Sequence, residues 1–361
     1  MDNGQEVIIA GAGLSGAVAA LCLQRMGINV TVLEKSNAPR WKIGETLPPE
    51  ANRLVDVLGL KTGFDGGMHT QSHGVLSTWG GPSLIATDFI FNPHGCGWQL
   101  DRVALESACI QAAERAGARL VRGATVRKLS RTGGRWHVET RAERLAGAWM
   151  IDATGRVASV ARNLGIKQVT IDRLVSVYLR TSNSSRADLD SRALIEAAPN
   201  GWWYTALTPS GRRTVAFQTD VDLLRGAEWQ SSEWFMNELH RTQSVGPLLL
   251  SHGYEFDFPT ALESARSCRL QQFCGPGWLA VGDAAMAIDP LSGQGMLKAI
   301  EGGKSAADTL IAGGEFALQR YAKEMESSWR SYVHTWTANY ATEDRWPDAP
   351  FWSRRRRGLP V

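Results

Sequence analysis

The stretch EVIIAGAGLSGAVAALCLQRMGINVTVLEKS, residues 6–36, decides the fold. It consists of a β-branched run, the pattern Gly-x-Gly-x-x-Gly, an Ala-rich segment that Gly27 ends, and a second β-branched run. This order predicts a strand, a helix and a second strand. In such a unit Gly11 makes the tight turn, Gly13 lets the backbone approach a pyrophosphate, and Gly16 lets the helix pack closely on the strand.

Glu34 ends the second predicted strand, where an acid can bind a ribose hydroxyl and disfavours a 2′-phosphate. The start of the helix adds free N–H groups and the positive end of the helix dipole, both of which favour a phosphate. The chain has no second Gly-x-Gly-x-x-Gly after a predicted strand. A second dinucleotide would therefore have no Rossmann unit of its own.

The bulk composition is typical of a globular protein. The chain has 361 residues, of which 43% are hydrophobic, and this length allows a large core. Its 39 basic and 36 acidic residues give a formal net charge of +3, which is too small to indicate a nucleic-acid partner. No apolar run approaches the roughly 20 residues that a membrane-spanning helix needs.

The N-terminal residues MDNGQEVIIAGAG carry no basic region, so we expect no secretory signal. The five cysteines are odd in number and scattered, without CxxC spacing, which is typical of reduced thiols rather than disulfides or a metal site. Both features predict a cytoplasmic protein. The few histidines show no metal-binding spacing either, so no metal is expected.

Two later segments carry further strand signals. WMIDATGR (149–156) is a short apolar run that leads into a glycine turn. GWLAVGDAAMAIDPLSGQGMLKAI (277–300) predicts a strand over 278–281, Gly282 and Asp283 at its end, and a helix that starts near Gly295. Strands that return from distant parts of the chain predict one nucleotide-binding domain with insertions between its pieces.

Residues 11–16, DATG at 152–155 and GDAAMAIDPLSGQG at 282–295 together resemble the FAD-binding fold of group A flavoprotein monooxygenases. The same fold includes flavin-dependent halogenases and geranylgeranyl-type reductases. The resemblance implies an α/β protein that binds FAD in a Rossmann-like domain of the glutathione-reductase type, with an inserted antiparallel β-sheet substrate domain. Within that fold the expected contacts of FAD are Asp283 with the ribityl chain or pyrophosphate, and the backbone at Pro290, Gly293 and Gly295 with the isoalloxazine.

The resemblance also predicts the domain boundaries. The FAD-binding domain is expected at 1–73, 101–167 and 266–315, the substrate domain at 74–100 and 168–265, and a C-terminal helix with a basic tail at 316–361. The run SRRRR near the end is either a solvated basic segment or a docking site for an acidic partner.

Two further segments resemble particular members of this fold more closely than others. WKIGETLPPEANRLVDVLGL (41–60) resembles the Gly-Glu-x-x-x-Pro strap that lies over the flavin in halogenase-like members. The acid of this strap is Glu45, which the resemblance places among the residues that bind the cofactor. We call residues 44–49 the strap. In GWQLDRVALESACIQAAERAGARLVRGATV (97–126), Asp101 is the predicted N-cap of a helix that Gly117 stops. By the same resemblance Arg102 and Arg40 contact FAD, although an ordinary surface position explains either arginine equally well.

The signatures of tryptophan halogenases are missing. Those enzymes carry a WxWxIP stretch and a lysine one strand after the strap. This chain has no WxW, and the matching region, MHTQSHGVLSTWGG (68–81), has no lysine. Instead, STWGG (77–81) and RWPDAPFWSRRRRG (345–358) resemble flavoproteins that mature the tryptophylquinone cofactors of bacterial amino-acid and amine oxidases by hydroxylating a tryptophan of a partner protein.

GWWYTALTPSGRRTVAFQTD (201–220) predicts a hairpin with Pro-Ser-Gly at its turn. Period two sends Trp202 and Tyr204 to one face and Trp203 to the other, without indicating which face covers the flavin. We expect Trp79, Trp202 and Trp203 to be candidate substrate contacts. His73 is a weak candidate for a catalytic residue.

The sequence therefore predicts an FAD-dependent monooxygenase that hydroxylates an indole or a tryptophan side chain, the latter within a partner protein. The external electron donor is expected to be NAD(P)H or a reduced flavin. Four alternatives stay open: a small-molecule aromatic hydroxylase, a flavin-dependent halogenase, an isoprenoid-type flavin reductase, and an FAD-containing chaperone without catalysis. Neither a nucleic acid nor a membrane is expected as a partner.

Overall fold

The structure is a computed structural model that describes residues 6–356. Strands and helices are numbered here in chain order. A six-stranded sheet is built from segments far apart in the sequence, with the strand order β20-β21-β12-β1-β2-β8. Its strands are β1 (Val7–Ala10), β2 (Val30–Glu34), β8 (Arg119–Arg122), β12 (Trp149–Asp152), β20 (Cys274–Gly275) and β21 (Trp278–Ala280). Neighbours are parallel except β20 and β21.

Helices cover this parallel sheet, as buried parallel strands require. They are α1 (Leu14–Arg25), α4 (Arg102–Arg115), α5 (Ser159–Asn163) and α8 (Gly295–Ala312). α1 is buried along most of its length and packs against both α4 and α8. The predicted assembly of one nucleotide-binding sheet from distant segments is confirmed, and α8 begins at the expected residue.

A seven-stranded sheet forms the second part of the molecule, with the order β18-β14-β17-β16-β15-β5-β6. Its strands are β5 (Gly74–Thr78), β6 (Ile85–Asp88), β14 (Leu174–Asn183), β15 (Ala193–Ala198), β16 (Gly201–Leu207), β17 (Arg212–Asp220) and β18 (Ala261–Ser264). All neighbours are antiparallel except β15 and β5, which are parallel. The sheet is thus mixed, because β5 joins it from a distant part of the chain.

The strand register defines the two faces of this sheet. Tyr204 of β16 lies beside Ile195 of β15, which lies beside Ser77 of β5, so these three side chains share one face. The other face carries Trp203 and Leu194, and two helices, α6 (Ser232–His240) and α7 (Val245–Ser251), pack on it. We call the first the strap face, for a reason given below, and the second the helix face.

Three small sheets complete the set of strands. They are β3 (Thr46–Leu47), β7 (Gly97–Gln99) and β4 (Thr70–Ser72); β11 (Arg144–Gly147), β10 (Arg135–Glu139) and β9 (Lys128–Thr132); and β13 (Gln168–Thr170), β19 (Cys268–Leu270) and β22 (Met286–Ala287). The short helices α2 (Asn52–Val57) and α3 (Lys61–Asp65) follow the strap. Single turns of 3-10 helix lie at Pro49–Ala51, Phe89–Phe91, Gly155–Val157, Val221–Leu224, Gly282–Ala284 and Pro290–Ser292.

Two C-terminal helices, α9 (Gly314–Ala341) and α10 (Pro350–Arg356), pack back onto both parts. The expectation of a solvated basic end is wrong for Arg355, which is only 2% exposed and donates to both carboxylate oxygens of Asp220. Arg354 donates to Asp220 and Asp222. The acidic group that these arginines meet therefore belongs to the same chain, and the fifth residue of the predicted basic run, at 357, lies outside the described residues.

Candidate active site

Two of the three glycines in the first loop are required for the packing of the fold, whether or not a ligand is bound. Gly11 has φ +107°, and a Cβ there would lie 2.2 Å from the carbonyl oxygen of Ala153. A Cβ on Gly16 would lie 2.0 Å from the carbonyl oxygen of Gly11. Both distances are far below van der Waals contact, so β1, β12 and α1 can meet only because these side chains are absent.

Gly13 is different, because its surroundings are open. Its backbone has φ −65° and ψ 177°, which any residue can adopt, and an added Cβ would meet no heavy atom within 4 Å. Gly13 is also the N-cap of α1, and no side chain caps the first N–H groups of that helix. The open space beside uncapped helix donors fits a pyrophosphate, as the spacing of the motif predicts.

Glu34 lies beside this loop at the end of β2. One carboxylate oxygen accepts from the N–H of Ala12 at 3.0 Å, and the other accepts from the N–H of Ser36 at 2.8 Å. The carboxylate therefore braces the glycine loop, and it is only half-buried. A carboxylate oxygen has more than one lone pair, so Glu34 can still accept from a ribose hydroxyl.

The DATG turn shapes the neighbouring strand end. The buried Asp152 accepts from the N–H and hydroxyl of Thr154, at 3.0 and 2.6 Å, and from the N–H of Ala161 at 2.9 Å. Burial raises the pKa of Asp152, and these hydrogen bonds oppose that rise. Arg156, which directly follows the motif, lies with Nε 3.5 Å from Oδ2 of Asp283. Arg156 was not among the residues predicted to form the site, although it directly follows DATG at 152–155.

Asp283 lies in the 3-10 turn that follows β21, and its side chain is 41% exposed. The predicted contact with the ribityl chain or pyrophosphate needs this exposure. Arg156 also donates to the backbone carbonyls of Arg266 and Ile288, so it holds the Asp283 carboxylate from a fixed position. The carboxylate is thereby oriented before any ligand binds.

The segment before α8 presents exposed backbone. We call residues 290–293 the flavin turn. Gly293 has φ +61°, and a Cβ on Gly293 or on Gly295 would meet no heavy atom within 4 Å. α8 begins at Gly295 without a side-chain cap or an acid in its first turn. Open space beside bare backbone and free helix donors fits a flat ring that carries negative charge when reduced.

The strap lies between the two parts of the molecule. The hydroxyl of Thr46 is 2.8 Å from that of Tyr204, and Thr214 donates to Glu45 at 2.6 Å. Tyr204 and Thr214 share the strap face, which takes its name from these contacts. Burial raises the pKa of Glu45, against the hydrogen bond from Thr214 and the charge of Arg102.

Arg102 anchors the other side of the strap. It donates to the carbonyls of Gly44 and Ile43 at 2.8 and 3.2 Å, and it pairs with Glu106 at 2.6 Å. The structure thus gives Arg102 a role in holding the strap, while its predicted contact with FAD stays a prediction. Arg40 is exposed.

The three candidate substrate residues lie in two environments. Trp79 and Trp202 lie in one aromatic cluster, in which the half-buried Trp79 donates to the carbonyl of Asn339 and the buried Trp202 donates to the hydroxyl of Tyr340. Trp203 is fully buried on the helix face among Phe217 and Phe235. We therefore remove Trp203 from the candidates, since the sheet separates it from the strap.

His73 is exposed, with Nδ1 3.3 Å from Sγ of Cys96. It lines an open surface groove with Asp88, Asp190 and Arg192. Among the described residues, no hydrogen bond or ion pair joins His73 to the flavin turn or to the strap, so its catalytic role stays a prediction.

The flavin turn and part of the strap face pack against one hydrophobic cluster. Leu291 of the turn packs in the same hydrophobic cluster as Tyr204, Ile195 and Trp79. These side chains are only partly buried, so they can form the wall of a pocket beside the turn. β5, β15 and β16, which carry this wall, contain no lysine.

Two general features of residues 6–356 complete the description. None of their helices is long and apolar enough to cross a membrane. They also hold no group of three or more His, Cys, Asp or Glu side chains that could bind a metal ion.

Comparison with known proteins identifies the family of the chain. A model of the FAD binding domain family matches residues 5–313. The putative FAD-dependent oxidoreductase LodB of Marinomonas mediterranea is 26% identical over 358 residues, which are 97% of this chain and 96% of LodB. The flavin-dependent halogenase CmlS has a TM-score of 0.87 at 22% identity, covering 98% of this chain and 67% of CmlS.

A further structural neighbour is QhpG, a peptidyl tryptophan dihydroxylase essential for tryptophylquinone cofactor biogenesis. It has a TM-score of 0.73 at 21% identity, covering 98% of this chain and 78% of QhpG. The family match includes the glycine loop, Glu34, the DATG turn and the flavin turn, whereas α9 and α10 lie beyond it. The chain belongs to the FAD binding domain family and is an FAD-dependent oxidoreductase of the group A monooxygenase and halogenase type.

Proposed function

We propose that the protein is a monooxygenase that hydroxylates an indole, and that its substrate is a tryptophan side chain of a partner protein. The observation that carries the proposal is the wall of the strap face beside the flavin turn. Tyr204, Ile195 and Trp79 give it an aromatic and apolar surface. A flat aromatic substrate packs well against such a surface.

The absence of lysine from the strands of this wall supports oxygenation over halogenation. In the halogenases that the sequence resembles, a lysine after the strap handles the halogenating species. β5, the strand that follows the strap in the seven-stranded sheet, reads Gly-Val-Leu-Ser-Thr. The names of LodB and QhpG support the same direction, since one is an FAD-dependent oxidoreductase and the other acts on peptidyl tryptophan.

FAD supplies the redox chemistry when it is bound and reduced, and the protein supplies binding and orientation. One atom of dioxygen enters the aromatic C–H bond, while the other leaves as water with two electrons and two protons from the donor. Uncapped donors of α1 hold the pyrophosphate, and Glu34 binds the ribose. The strap and the wall of the strap face exclude water from the reacting atoms.

The direct test uses the purified FAD-loaded protein with isotopically heavy dioxygen and an electron donor. Peptides that contain tryptophan, free tryptophan and indole are offered in parallel, and the products are analysed by mass spectrometry. Incorporation of heavy oxygen into the peptide supports the proposal. Incorporation only into the free indoles would indicate a small-molecule hydroxylase instead.

A pair of variants ties the product to the proposed wall. Ser77→Trp places a large side chain on the strap face, whereas Ala86→Trp places the same side chain on the exposed strand β6, next to Leu76 of the opposite face. Both proteins should retain FAD. Only Ser77→Trp should lose hydroxylation by roughly a hundredfold, the effect of blocking a binding pocket at about 2.7 kcal/mol.

Two further outcomes would reject oxygenation. A halogenated indole in the presence of chloride or bromide would identify a halogenase. A reduced isoprenoid double bond without oxygen incorporation would identify a reductase. The donor is tested in the same assay by comparing NADH, NADPH and an externally reduced flavin.

A further inference from the structure

A buried carboxylate lies directly beneath the flavin turn. Asp289 precedes the turn and is 1% exposed. Its Oδ1 accepts from the N–H of Leu291 at 2.9 Å, and its Oδ2 accepts from the indole N–H of Trp336 at 3.1 Å and the hydroxyl of Tyr340 at 2.8 Å. Trp336 and Tyr340 belong to α9, so this one side chain joins the turn to the C-terminal helix.

The hydrogen bonds continue to the substrate sheet. The hydroxyl of Tyr340 accepts from the indole N–H of Trp202 at 3.0 Å. Trp202 lies on the strap face, because it pairs with Gln218 in the register that also pairs Tyr204 with Ala216. An unbroken series of hydrogen bonds therefore runs from the strap face through Tyr340 and Asp289 to the backbone of the flavin turn.

The flavin turn makes few other hydrogen bonds. Within the described structure, the hydrogen bonds that residues 290–293 make lead only to one another, to Gln294 or to Asp289. Ser292 donates both its N–H and its hydroxyl to the carbonyl of Asp289, and Gly293 donates to Pro290. The position of the turn thus depends on the position of Asp289, apart from the apolar contact of Leu291.

Burial of the Asp289 carboxylate costs desolvation free energy, which argues for a specific role. It has no ion-pair partner within 4 Å among the described residues. Burial, together with the nearby charge of Asp172, raises its pKa to about 6, against the hydrogen bond from the N–H of Leu291 and the charge of Arg355. The titratable groups that face it from α9 are Tyr332 and Tyr340.

The set of donors explains why a carboxylate stands here. Three donors converge on one side chain, and only an ionised carboxylate accepts at both of its ends. An asparagine would direct its NH₂ group at one of the three donors. A simple cap for the N–H of Leu291 would need neither the charge nor the burial.

We propose that Asp289 is a positioning residue that fixes the flavin turn against α9 and, through Tyr340 and Trp202, couples the turn to the strap face. The coupling rests on the proposed function, because it assigns the substrate to that face. The positioning does not depend on the substrate. Asp289 itself touches no reacting atom and acts through the backbone that it holds.

The test compares two tyrosines of the same helix. Tyr340→Phe removes the donor to Asp289, whereas Tyr321→Phe removes a hydroxyl of equal burial that donates to the carbonyl of Ala280 at 2.6 Å. The measurements are the dissociation constant of FAD, the midpoint potential of the bound FAD, and the thermal unfolding of the protein without FAD. Tyr340→Phe loses two buried hydrogen bonds, to Asp289 and from Trp202, whereas Tyr321→Phe loses one, so Tyr340→Phe should lose more thermal stability. The comparison therefore rests on the affinity for FAD and on the midpoint potential.

Only Tyr340→Phe should weaken FAD, by about tenfold, as one charge-assisted hydrogen bond predicts, and only this variant should shift the midpoint potential. Asp289→Asn should act in the same direction and more strongly, and Tyr340→Phe decides the question if that variant does not fold. Equal FAD affinities and potentials in Tyr340→Phe and Tyr321→Phe would overturn the positioning role.

The coupling has its own measurement. Tryptophan amide, a soluble indole, is added to the oxidised holoenzyme, and the shift of the flavin absorbance spectrum is recorded. Trp202→Phe keeps an aromatic ring but loses the N–H, so it should lose most of the shift that the unaltered protein shows. A full shift in Trp202→Phe, or no shift in the unaltered protein, would overturn the coupling. The FAD measurements test the positioning independently of this result, and the oxygen-incorporation assay tests the proposed function.

Discussion

Replacement of Gly13 by valine separates what the fold needs from what FAD needs. The backbone at Gly13 has φ −65° and an added Cβ meets no protein atom within 4 Å, so the protein without FAD should accept valine. The branched side chain would instead fill the open space at the start of α1. Gly16→Val is the matched control, since its Cβ would lie 2.0 Å from the carbonyl oxygen of Gly11.

The size of the effect follows from the donors that the side chain would block. If valine separates the pyrophosphate from two backbone N–H groups, each lost charge-assisted hydrogen bond costs about 1.5–3 kcal/mol. The affinity for FAD should then fall by at least about a hundredfold, at about 1.4 kcal/mol for each factor of ten. The free energy of unfolding without FAD should change by less than about 0.5 kcal/mol, as for a substitution that meets no neighbour.

The assay needs two measurements on each variant. Urea unfolding of the FAD-free protein, followed by circular dichroism, gives the free energy of unfolding. Titration with FAD, followed by quenching of the flavin fluorescence, gives the dissociation constant. Gly13→Val should change only the second quantity, whereas Gly16→Val should lower the free energy of unfolding.

One result would refute this reasoning. If Gly13→Val binds FAD as tightly as the unaltered protein, the open space beside Gly13 is not the pyrophosphate site. If it lowers the free energy of unfolding as much as Gly16→Val does, the glycine serves the fold and the separation of the two roles fails.

Three other predictions concern buried or bracing charges. Arg355→Met removes the buried partner of Asp220 and should lower the free energy of unfolding by about 3–5 kcal/mol. Arg354→Met, at a side chain that is 40% exposed, should lower it by less than about 1 kcal/mol. Equal losses in urea unfolding would contradict the assigned burial. The pKa of Asp289 rises from 3.8 to about 6 on folding, so its contribution to stability is complete below pH 4 and is lost as the pH rises through 6. The free energy of unfolding of the unaltered protein, compared with that of Asp289→Asn, should therefore fall by about 3 kcal/mol between pH 4 and 8, and a pH-independent difference would disprove the raised pKa. Glu34→Ala should weaken FAD by roughly tenfold to a hundredfold in the same titration, as one charged hydrogen bond predicts, and an unchanged affinity would remove Glu34 from the ribose site.

Local signals in the sequence account for the parallel sheet and the position of the glycine loop. A strand, three spaced glycines and an Ala-rich run can form one βαβ unit, because each residue acts on its immediate neighbours. The same holds for α4, where Asp101 accepts from the N–H of Ala104 as a predicted N-cap should. The start of α8 at Gly295 follows from an equally local cue.

Features that depend on distant partners were not predictable. The parallel pairing of β5 with β15 joins segments more than a hundred residues apart, and nothing in either strand indicates the direction of its neighbour. Period two separated Trp202 from Trp203, but only the contact of Thr46 with Tyr204 identifies the strap face. No local signal indicates the role of Asp289, because its partners Trp336 and Tyr340 lie more than forty residues later.

The pairing of Asp220 with Arg355 has a consequence for how the protein is made. The two residues are 135 positions apart in the chain. At the usual speed of synthesis, on the order of ten seconds pass between the appearance of the carboxylate and that of its guanidinium. During this delay α9 and α10 cannot yet cover Trp202, so the nascent sheet displays an aromatic surface that a chaperone can bind and that invites aggregation. The risk of aggregation is therefore highest while the chain is still on the ribosome, before α10 has been synthesised.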